Sequence, residues 1–180
     1  MKITLKPVSD KINVLKTDDV ELVFSYSTPV GAWVSGQGYF KTDASYSRTT
    51  TKHINEMGYK NEAVKPQAFF DDLAKKIGTA CPEASNITSV KFPHAEVIFS
   101  YSTPVCAWVY GQGKFRTDEF FSNTTSKHIG KMGFRDATKK PQAFFDALLQ
   151  ILPPAVDQQK LTAQVAGEFW QPTMADLLAA

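Results

Sequence analysis

An internal repeat constrains the fold of this 180-residue chain more than any other feature. The segment Phe24–Val30 reads FSYSTPV, and Phe99–Val105 repeats it with an offset of 75 positions. The same offset relates Lys52–Ile54 to Lys127–Ile129, and no gap interrupts it. A constant offset of this size is the signature of one structural unit that is used twice. The chain is therefore predicted to be a tandem duplication.

The first half of each unit has the pattern of a β-sheet. In unit one, a short alternating stretch at 12–16 precedes a longer alternation at 21–35, which predicts one long strand. Pro29 has no amide hydrogen to donate, so we expect an edge or a bulge at that position. Gly36–Gly38 then turns the chain into a return strand at 39–42, because glycine adopts positive φ angles at little cost.

The second half of each unit predicts two helices. In unit one, Ser47 or Thr49 offers a hydroxyl cap for the first helix, and Gly58 is suited to end it. Pro66 suits the first turn of the second helix, which has an apolar stripe that can pack on the sheet. The stripe consists of Phe69, Phe70, Leu73 and Ile77.

These elements predict an α+β fold, a tandem duplication of a β-β-β-α-α unit with the two copies packed as a pseudo-symmetric pair. We expect a short polar linker around 79–85 between the copies. The predicted boundaries are 11–78 for repeat unit one, 86–153 for repeat unit two and 154–180 for a C-terminal tail with short helices.

Composition excludes several classes of function. The apolar fraction of 43% is that of a globular protein, and no apolar run reaches the roughly 20 residues of a membrane span. The N-terminus has no apolar stretch of the secretory kind, so we expect a cytoplasmic protein. Cys81 and Cys106 lack metal-ligand spacing, and Cys106 is expected to be a small buried thiol. We expect no cofactor, no metal and no membrane partner.

The start of the first helix is the most chemical feature of each unit. Hydroxyls, a lysine and a histidine collect there, and the free amides of a helix N-terminus attract anions. The alternative is an ordinary cap, followed by a solvated lysine and a packed histidine. The candidate anion or nucleic-acid site consists of Thr49, Thr50, Lys52 and His53 in unit one and of Thr124, Thr125, Lys127 and His128 in unit two.

Aromatic residues provide a second candidate site. Trp33 and Trp108 occupy equivalent strand positions, with Lys41 and Arg116 on the neighbouring strand. A sheet face that combines aromatic rings with cations can stack unpaired bases. Packing in the core and a protein-binding surface are the alternatives for these rings.

The repeated segment also resembles a known family. The pattern SYxTPVxA, a glycine turn and then TTxKHI is similar to uncharacterised small proteins of bacteriophage and prophage genomes. The resemblance covers Ser25–Ile54 and Ser100–Ile129, and Phe121 stands where that family tends to have tyrosine. It implies a viral or mobile-element origin, action in the cytoplasm of the host cell, and a binding role.

Together these features predict a non-enzymatic, phage-type protein that binds nucleic acid, single-stranded rather than duplex, through two equivalent sites. No catalytic motif such as HExxH, GxSxG or a P-loop occurs, so we assign no catalytic residue. One alternative is an inhibitor that binds a host protein such as a defence or replication enzyme. Another is a sponge that captures a small phosphorylated or nucleotide ligand. In each case the chain is a pseudo-dimer.

Overall fold

The fold was obtained as a computed structural model, which describes residues 2–150. Each unit contains six strands and two α-helices in the same order. Unit one consists of β1 (Thr4–Ser9), β2 (Ile12–Lys16), β3 (Val20–Ser25), β4 (Thr28–Val34), β5 (Gly38–Thr42), α1 (Arg48–Glu56), a 3-10 turn (Tyr59–Asn61), β6 (Ala63–Lys65) and α2 (Gln67–Ile77). Unit two consists of β7 (Thr79–Ala84), β8 (Ile87–Lys91), β9 (Ala95–Ser100), β10 (Thr103–Val109), β11 (Gly113–Thr117), α3 (Asn123–Lys131), β12 (Thr138–Lys140) and α4 (Gln142–Leu148).

The strands of each unit form one six-stranded sheet in sequence order. The first five strands of each sheet are antiparallel neighbours. The last pair, β5 with β6 and β11 with β12, is parallel because a helix carries the chain back across the sheet. The prediction of a duplicated α+β fold is confirmed. The β-β-β-α-α order is wrong, since it accounts for only half of the strands.

The predicted long strand at 21–35 is a hairpin of β3 and β4. The chain turns at Tyr26, where φ is 56°, and the equivalent Tyr101 has a φ of 57°. Val23 pairs with Gly31 and Phe24 pairs with Pro29, so Val30 is an extra residue in the ladder. The bulge expected beside Pro29 is therefore confirmed.

The predicted linker at 79–85 is also wrong, because Thr79–Ala84 is strand β7. It pairs with β8, as β1 pairs with β2. Pairing satisfies backbone amides that a linker would leave to water. The tail predicted at 154–180 lies outside the described residues.

The helix boundaries follow the predicted signals. Ser47 is the N-cap of α1, and its hydroxyl accepts a hydrogen bond from the amide of Thr50. Gly58 follows α1 with a φ of 85°, and Pro66 immediately precedes α2. The apolar stripe differs by one position, since Phe70, Ala74 and Ile77 are the buried residues of α2. Phe69 and Leu73 are half-buried.

The two helices of each unit lie on opposite faces of its sheet. On one face, here named the outer face, Val14, Val23 and Val30 pack with Tyr59 and with residues of α1. On the other, the inner face, Phe40 meets Phe69 of α2 at a ring-centroid distance of 5.5 Å. Unit two has the same arrangement, with α3 on its outer face and α4 on its inner face.

The inner faces of the two sheets meet each other. Asn13 lies on the inner face beside Phe24, its cross-strand partner, and accepts a hydrogen bond of 3.2 Å from Thr88 of unit two. The largest side chains that are less than 2% exposed are the phenylalanines Phe24, Phe70, Phe99 and Phe145, two from each unit. The outer faces, on which α1 and α3 pack, point away from this contact between the sheets. None of the helices within residues 2–150 is long and apolar enough to cross a lipid bilayer.

Candidate functional site

The start of α1 divides the predicted site residues into two sets. Thr50 and His53 point towards the sheet and are buried, whereas Thr49 and Lys52 are exposed. This division follows from helical geometry, since residues three apart share a face. Unit two has the same division, with Thr125 buried, His128 half-buried, and Thr124 and Lys127 exposed. The exposed pair of each helix is open to solvent, whereas the threonine and the histidine face the sheet.

A hydrogen bond ties each helix to the hairpin beneath it. His53 Nδ1 lies 2.7 Å from Ser25 Oγ, and His128 Nδ1 lies 2.8 Å from Ser100 Oγ. Desolvation lowers the pKa of both histidines, so the neutral imidazole is favoured near neutral pH. Ser25 and Ser100 are each only 2% exposed, which leaves no room for a substrate at either hydroxyl. The contact is therefore that of a structural tie between helix and strand.

A tyrosine in a left-handed backbone conformation completes this arrangement. Tyr26 and Tyr101 have positive φ angles, which is uncommon for bulky residues. Their rings lie 5.8 and 5.9 Å from the imidazoles of His53 and His128. We name this arrangement the hairpin-tip cluster; it consists of Ser25, Tyr26, Thr50 and His53 in unit one and Ser100, Tyr101, Thr125 and His128 in unit two. Its serines and tyrosines were not among the predicted site residues, although the dense identity of the repeated SYSTP segment marks them.

The tryptophans lie on the outer face, in a row of side chains that none of the helices within residues 2–150 covers. Cross-strand pairing places Trp33 between Glu21 and Tyr39, and Trp108 between Glu96 and Lys114. We name this row the open row; it consists of Lys16, Glu21, Trp33 and Tyr39 in unit one and Lys91, Glu96, Trp108 and Lys114 in unit two. In unit one it borders an open depression of about 530 Å³.

The two units differ in how the tryptophan is presented. Trp33 is half-buried and lies 6.5 Å from the ring of Tyr39, whereas Trp108 is 47% exposed and meets Tyr110 edge to face. Lys114, which replaces Tyr39, is a cation directly across the strand from the more exposed ring. Only unit two therefore combines an accessible tryptophan with a neighbouring cation in its open row.

The predicted cations Lys41 and Arg116 also lie on the outer face. The ammonium of Lys41 donates to the backbone carbonyl of Lys60. Arg116 Nε is buried and has no hydrogen-bond partner within the described residues. An unpaired buried donor is costly, so a ligand oxygen that reached Arg116 would gain a prepared partner.

Cys106 pairs across the strand with Arg116 but is not a nucleophile. It has no solvent exposure, and burial raises the pKa of its thiol to about 12. A thiol in this state is the protonated, unreactive form. Within residues 2–150, no group of three or more histidine, cysteine or carboxylate side chains is placed to hold a metal ion.

The outer face of each unit thus brings both candidate sites together. The exposed residues of α1 or α3 and the tryptophan row lie on the same side of the sheet. The buried threonine and the histidine lie on the side of the same helix that faces the sheet. Direct contact of those two residues with nucleic acid stays a prediction, as does the rest of the predicted site.

Comparison with known proteins identifies the two units as copies of one family. Residues 4–72 and 75–147 each match the family described as "Family of unknown function (DUF8033)". Both matches include the first strand of the sheet. No curated protein and no solved structure matches the chain.

Proposed function

The chain belongs to the DUF8033 family of unknown function, and on that premise we propose that it is a non-enzymatic, phage-type protein that binds single-stranded nucleic acid on its outer faces. The proposal places the two units as a pseudo-symmetric pair, so that one chain presents two binding surfaces. Two modest sites on one chain raise the effective concentration of the second contact. Such a gain is a physical reason to duplicate a binding unit.

The observation that carries the proposal is the open row of unit two. Trp108 is accessible to a base, and Lys114 lies across the strand from it. Stacking of a base on an aromatic ring is sequence-tolerant, and a nearby cation binds the phosphate that follows the base. A duplex hides the faces of its bases, so this arrangement favours unpaired strands.

Cations of α3 extend the same surface. Lys127 and Lys131 are exposed and four residues apart, so they share one side of the helix. The four ion pairs found within residues 2–150 leave Lys114, Arg116, Lys127 and Lys131 unpaired with carboxylates. Unpaired cations are the groups that can release counterions from a phosphate backbone.

The hairpin-tip cluster supports the proposal indirectly. Because it fixes α1 and α3 on the sheet, it sets where Lys52 and Lys127 stand relative to the tryptophan rows. In this role Thr50, His53, Thr125 and His128 position the contact residues.

The test is binding of a fluorescein-labelled oligothymidine, measured by fluorescence anisotropy at several salt concentrations. Trp108→Ala is expected to weaken binding about 10-fold, the effect of losing one stacked base. The double variant Lys52→Glu with Lys127→Glu is expected to abolish binding, and Tyr39→Lys to strengthen it by giving unit one the cation of unit two.

The matched control is Lys76→Glu, the same charge change on the exposed side of α2, away from the outer face. Affinity should stay near that of the parent chain in this variant. Equal affinities for the parent, the Trp108→Ala variant and the Lys52→Glu/Lys127→Glu variant would contradict the proposal.

A second candidate function is binding of a host protein. Phe120 is 75% exposed and Phe121 is 42% exposed, in the segment that precedes α3. Unit one has Ser45 and Tyr46 at these positions, so the apolar pair belongs to unit two alone. Exposed aromatic pairs are typical anchors of protein interfaces.

The two candidates separate in a pull-down from host lysate, repeated after nuclease treatment. Partners that disappear with nuclease support nucleic acid as the ligand. A protein that stays bound after nuclease and is lost with Phe120→Ser/Phe121→Tyr supports the second candidate. This variant gives unit two the residues of unit one, which the same fold already accommodates.

A further inference from the structure

Two contacts between the units join a residue to its own equivalent. Asn13 bonds to Thr88, and the side chains of Asp10 and Ser85 are hydrogen-bonded at 3.2 Å. Both pairs are 75 positions apart, which is the offset of the repeat. In a two-fold symmetric pair, only residues at the axis contact their own copies. The turn between β1 and β2 and the turn between β7 and β8 therefore meet at a pseudo-two-fold axis.

The start of unit one contacts the end of unit two in the same way as β7 meets α2, where the two elements are joined in sequence. Gly78, between α2 and β7, donates its amide to the carbonyl of Ala74 at 2.8 Å. The equivalent bond joins the amide of Ile3 to the carbonyl of Leu149, also at 2.8 Å. Lys2 further pairs with Gln150 and forms an ion pair with Asp146. Strand β1 thus follows α4 in space as β7 follows α2 in sequence.

The residues at these positions differ between the units in a complementary way. Pairing unit one with a second unit one would set Asp10 against aspartate and Asn13 against asparagine. The first pair repels, and the second adds amide donors where Asn13 Nδ2 already lacks a partner among residues 2–150. The actual pair combines each with a hydroxyl residue of unit two, at Ser85 and Thr88.

At the start of each sheet, side-chain volumes compensate within one unit. A Cβ on Gly78 would stand 2.7 Å from the ring of Phe92, so Gly78 is the small residue of this pair and Phe92 is the large one. At the equivalent positions unit one has Ile3 and Thr17, both buried, with the large and the small residue exchanged. This exchange is internal to each sheet, so the fit between the units rests on the pairs at the axis, Asp10 with Ser85 and Asn13 with Thr88.

We propose that the inner face of each DUF8033 unit is a pairing surface for a second unit, and that the two units of this chain have diverged into a matched pair. Unit one accordingly fits unit two better than it fits another copy of itself. The inference concerns the interface between units and is independent of the ligand that the outer faces bind.

The test exchanges equivalent residues across the axis in the full chain. Thr88→Asn alone sets asparagine against asparagine at a buried position and is expected to lower Tm by about 3–6 °C, because it adds amide donors beside Asn13 Nδ2. Asn13→Thr is the second single variant of the cycle. The double variant Asn13→Thr/Thr88→Asn restores an asparagine–threonine pair with the two residues exchanged between the units. The pseudo-two-fold axis makes this arrangement equivalent to the original one. The Tm of the double variant should return to within about 1 °C of the parent, a recovery measured as a double-mutant cycle.

A second cycle uses the exposed pair, whose replacement leaves the core intact. Ser85→Asp alone should lower Tm more at low salt than at high salt, since it opposes two carboxylates. Asp10→Ser/Ser85→Asp should remove that salt dependence. A neutral Thr88→Asn or Ser85→Asp variant, or double variants that lose as much as the two single losses together, would overturn the proposal.

Discussion

Units one and two share a backbone but differ in the residues that pack on the outer face of the sheet. In unit one, the ring of Tyr59 lies so close to Gly31 that a Cβ there would stand 3.1 Å from it. Unit two has Cys106 and Phe134 at the equivalent positions, both buried in one cluster. One unit combines the smallest residue with the larger ring, and the other combines a thiol with the smaller ring. Packing volume is thus held nearly constant while the identities change.

The hairpin-tip cluster behaves differently, because its residue types are the same in both units. A serine, a left-handed tyrosine, a buried threonine and a histidine recur with nearly identical distances. Packing alone tolerates compensated exchange, as the Gly31 and Cys106 pairs show. A hydrogen bond of fixed geometry does not tolerate it, since each partner must provide a specific atom. The comparison separates positions that fill space from positions that direct a bond.

The largest expected effect tests whether the units are one cooperative body. Phe70→Ala and Phe145→Ala each empty an equivalent, fully buried position, and each should cost about 3–5 kcal/mol of the free energy of unfolding. Because the inner faces share a core, both variants should shift a single transition in urea, followed by circular dichroism and by fluorescence. Two separate transitions, with each variant shifting only one of them, would show that the units unfold independently.

A smaller effect is expected from making unit one resemble unit two. Gly31→Cys introduces a Cβ against the Tyr59 ring and should cost about 1–3 kcal/mol. Adding Tyr59→Phe should recover most of that loss, since the pair then matches Cys106 and Phe134. Thermal or urea unfolding of the single and double variants measures the recovery. A double variant no more stable than Gly31→Cys would show that the two positions are not coupled.

The smallest expected effect is a dependence of Tm on pH that the units share. Burial lowers the pKa of His53 and His128, so the folded state binds fewer protons than the unfolded state at mildly acidic pH. Stability should therefore be fully present above the unfolded value of about 6.5 and fall as the pH decreases below it. His53→Gln and His128→Gln should each reduce the Tm difference between pH 7.5 and 5.5 by a similar amount.

His94 is the internal control for this experiment. Its pKa is also lowered by burial, but it has no histidine counterpart in unit one. His94→Gln should reduce the pH dependence without changing the contribution of the other two histidines. A Tm that rises on acidification, or single variants with unequal effects, would contradict the equivalence of the hairpin-tip clusters.

The repeat and the helix boundaries could be predicted because each rests on a local signal. Ser47, Gly58 and Pro66 act through their own backbone or side chain, so their effect is visible in the sequence. The hairpin at Tyr26 could not be predicted in this way. It has neither glycine nor asparagine where the backbone turns left-handed, so the alternation continues across it like a single strand.

The missed strands have a different cause. Strand β1 alternates apolar and polar residues over a short span that includes Lys6 and Pro7, and β7 begins directly at the end of α2. Their pairing depends on neighbours elsewhere in the chain. A local signal did exist, since Thr4 and Pro7 have identical equivalents in Thr79 and Pro82. The position of the candidate site residues on the outer face likewise follows from sheet topology, which no local pattern encodes.

The hydrogen bond between Ile3 and Leu149 affects how further repeat units could be added to such a chain. In a solenoid each repeat contacts two neighbours, so the number of repeats is open. Here each unit has a single inner face, and β1 already occupies the place after α4 that the first strand of a third unit would need. A further duplication would leave an apolar sheet uncovered and prone to aggregate. A third unit in this arrangement would therefore need a further partner for its inner face.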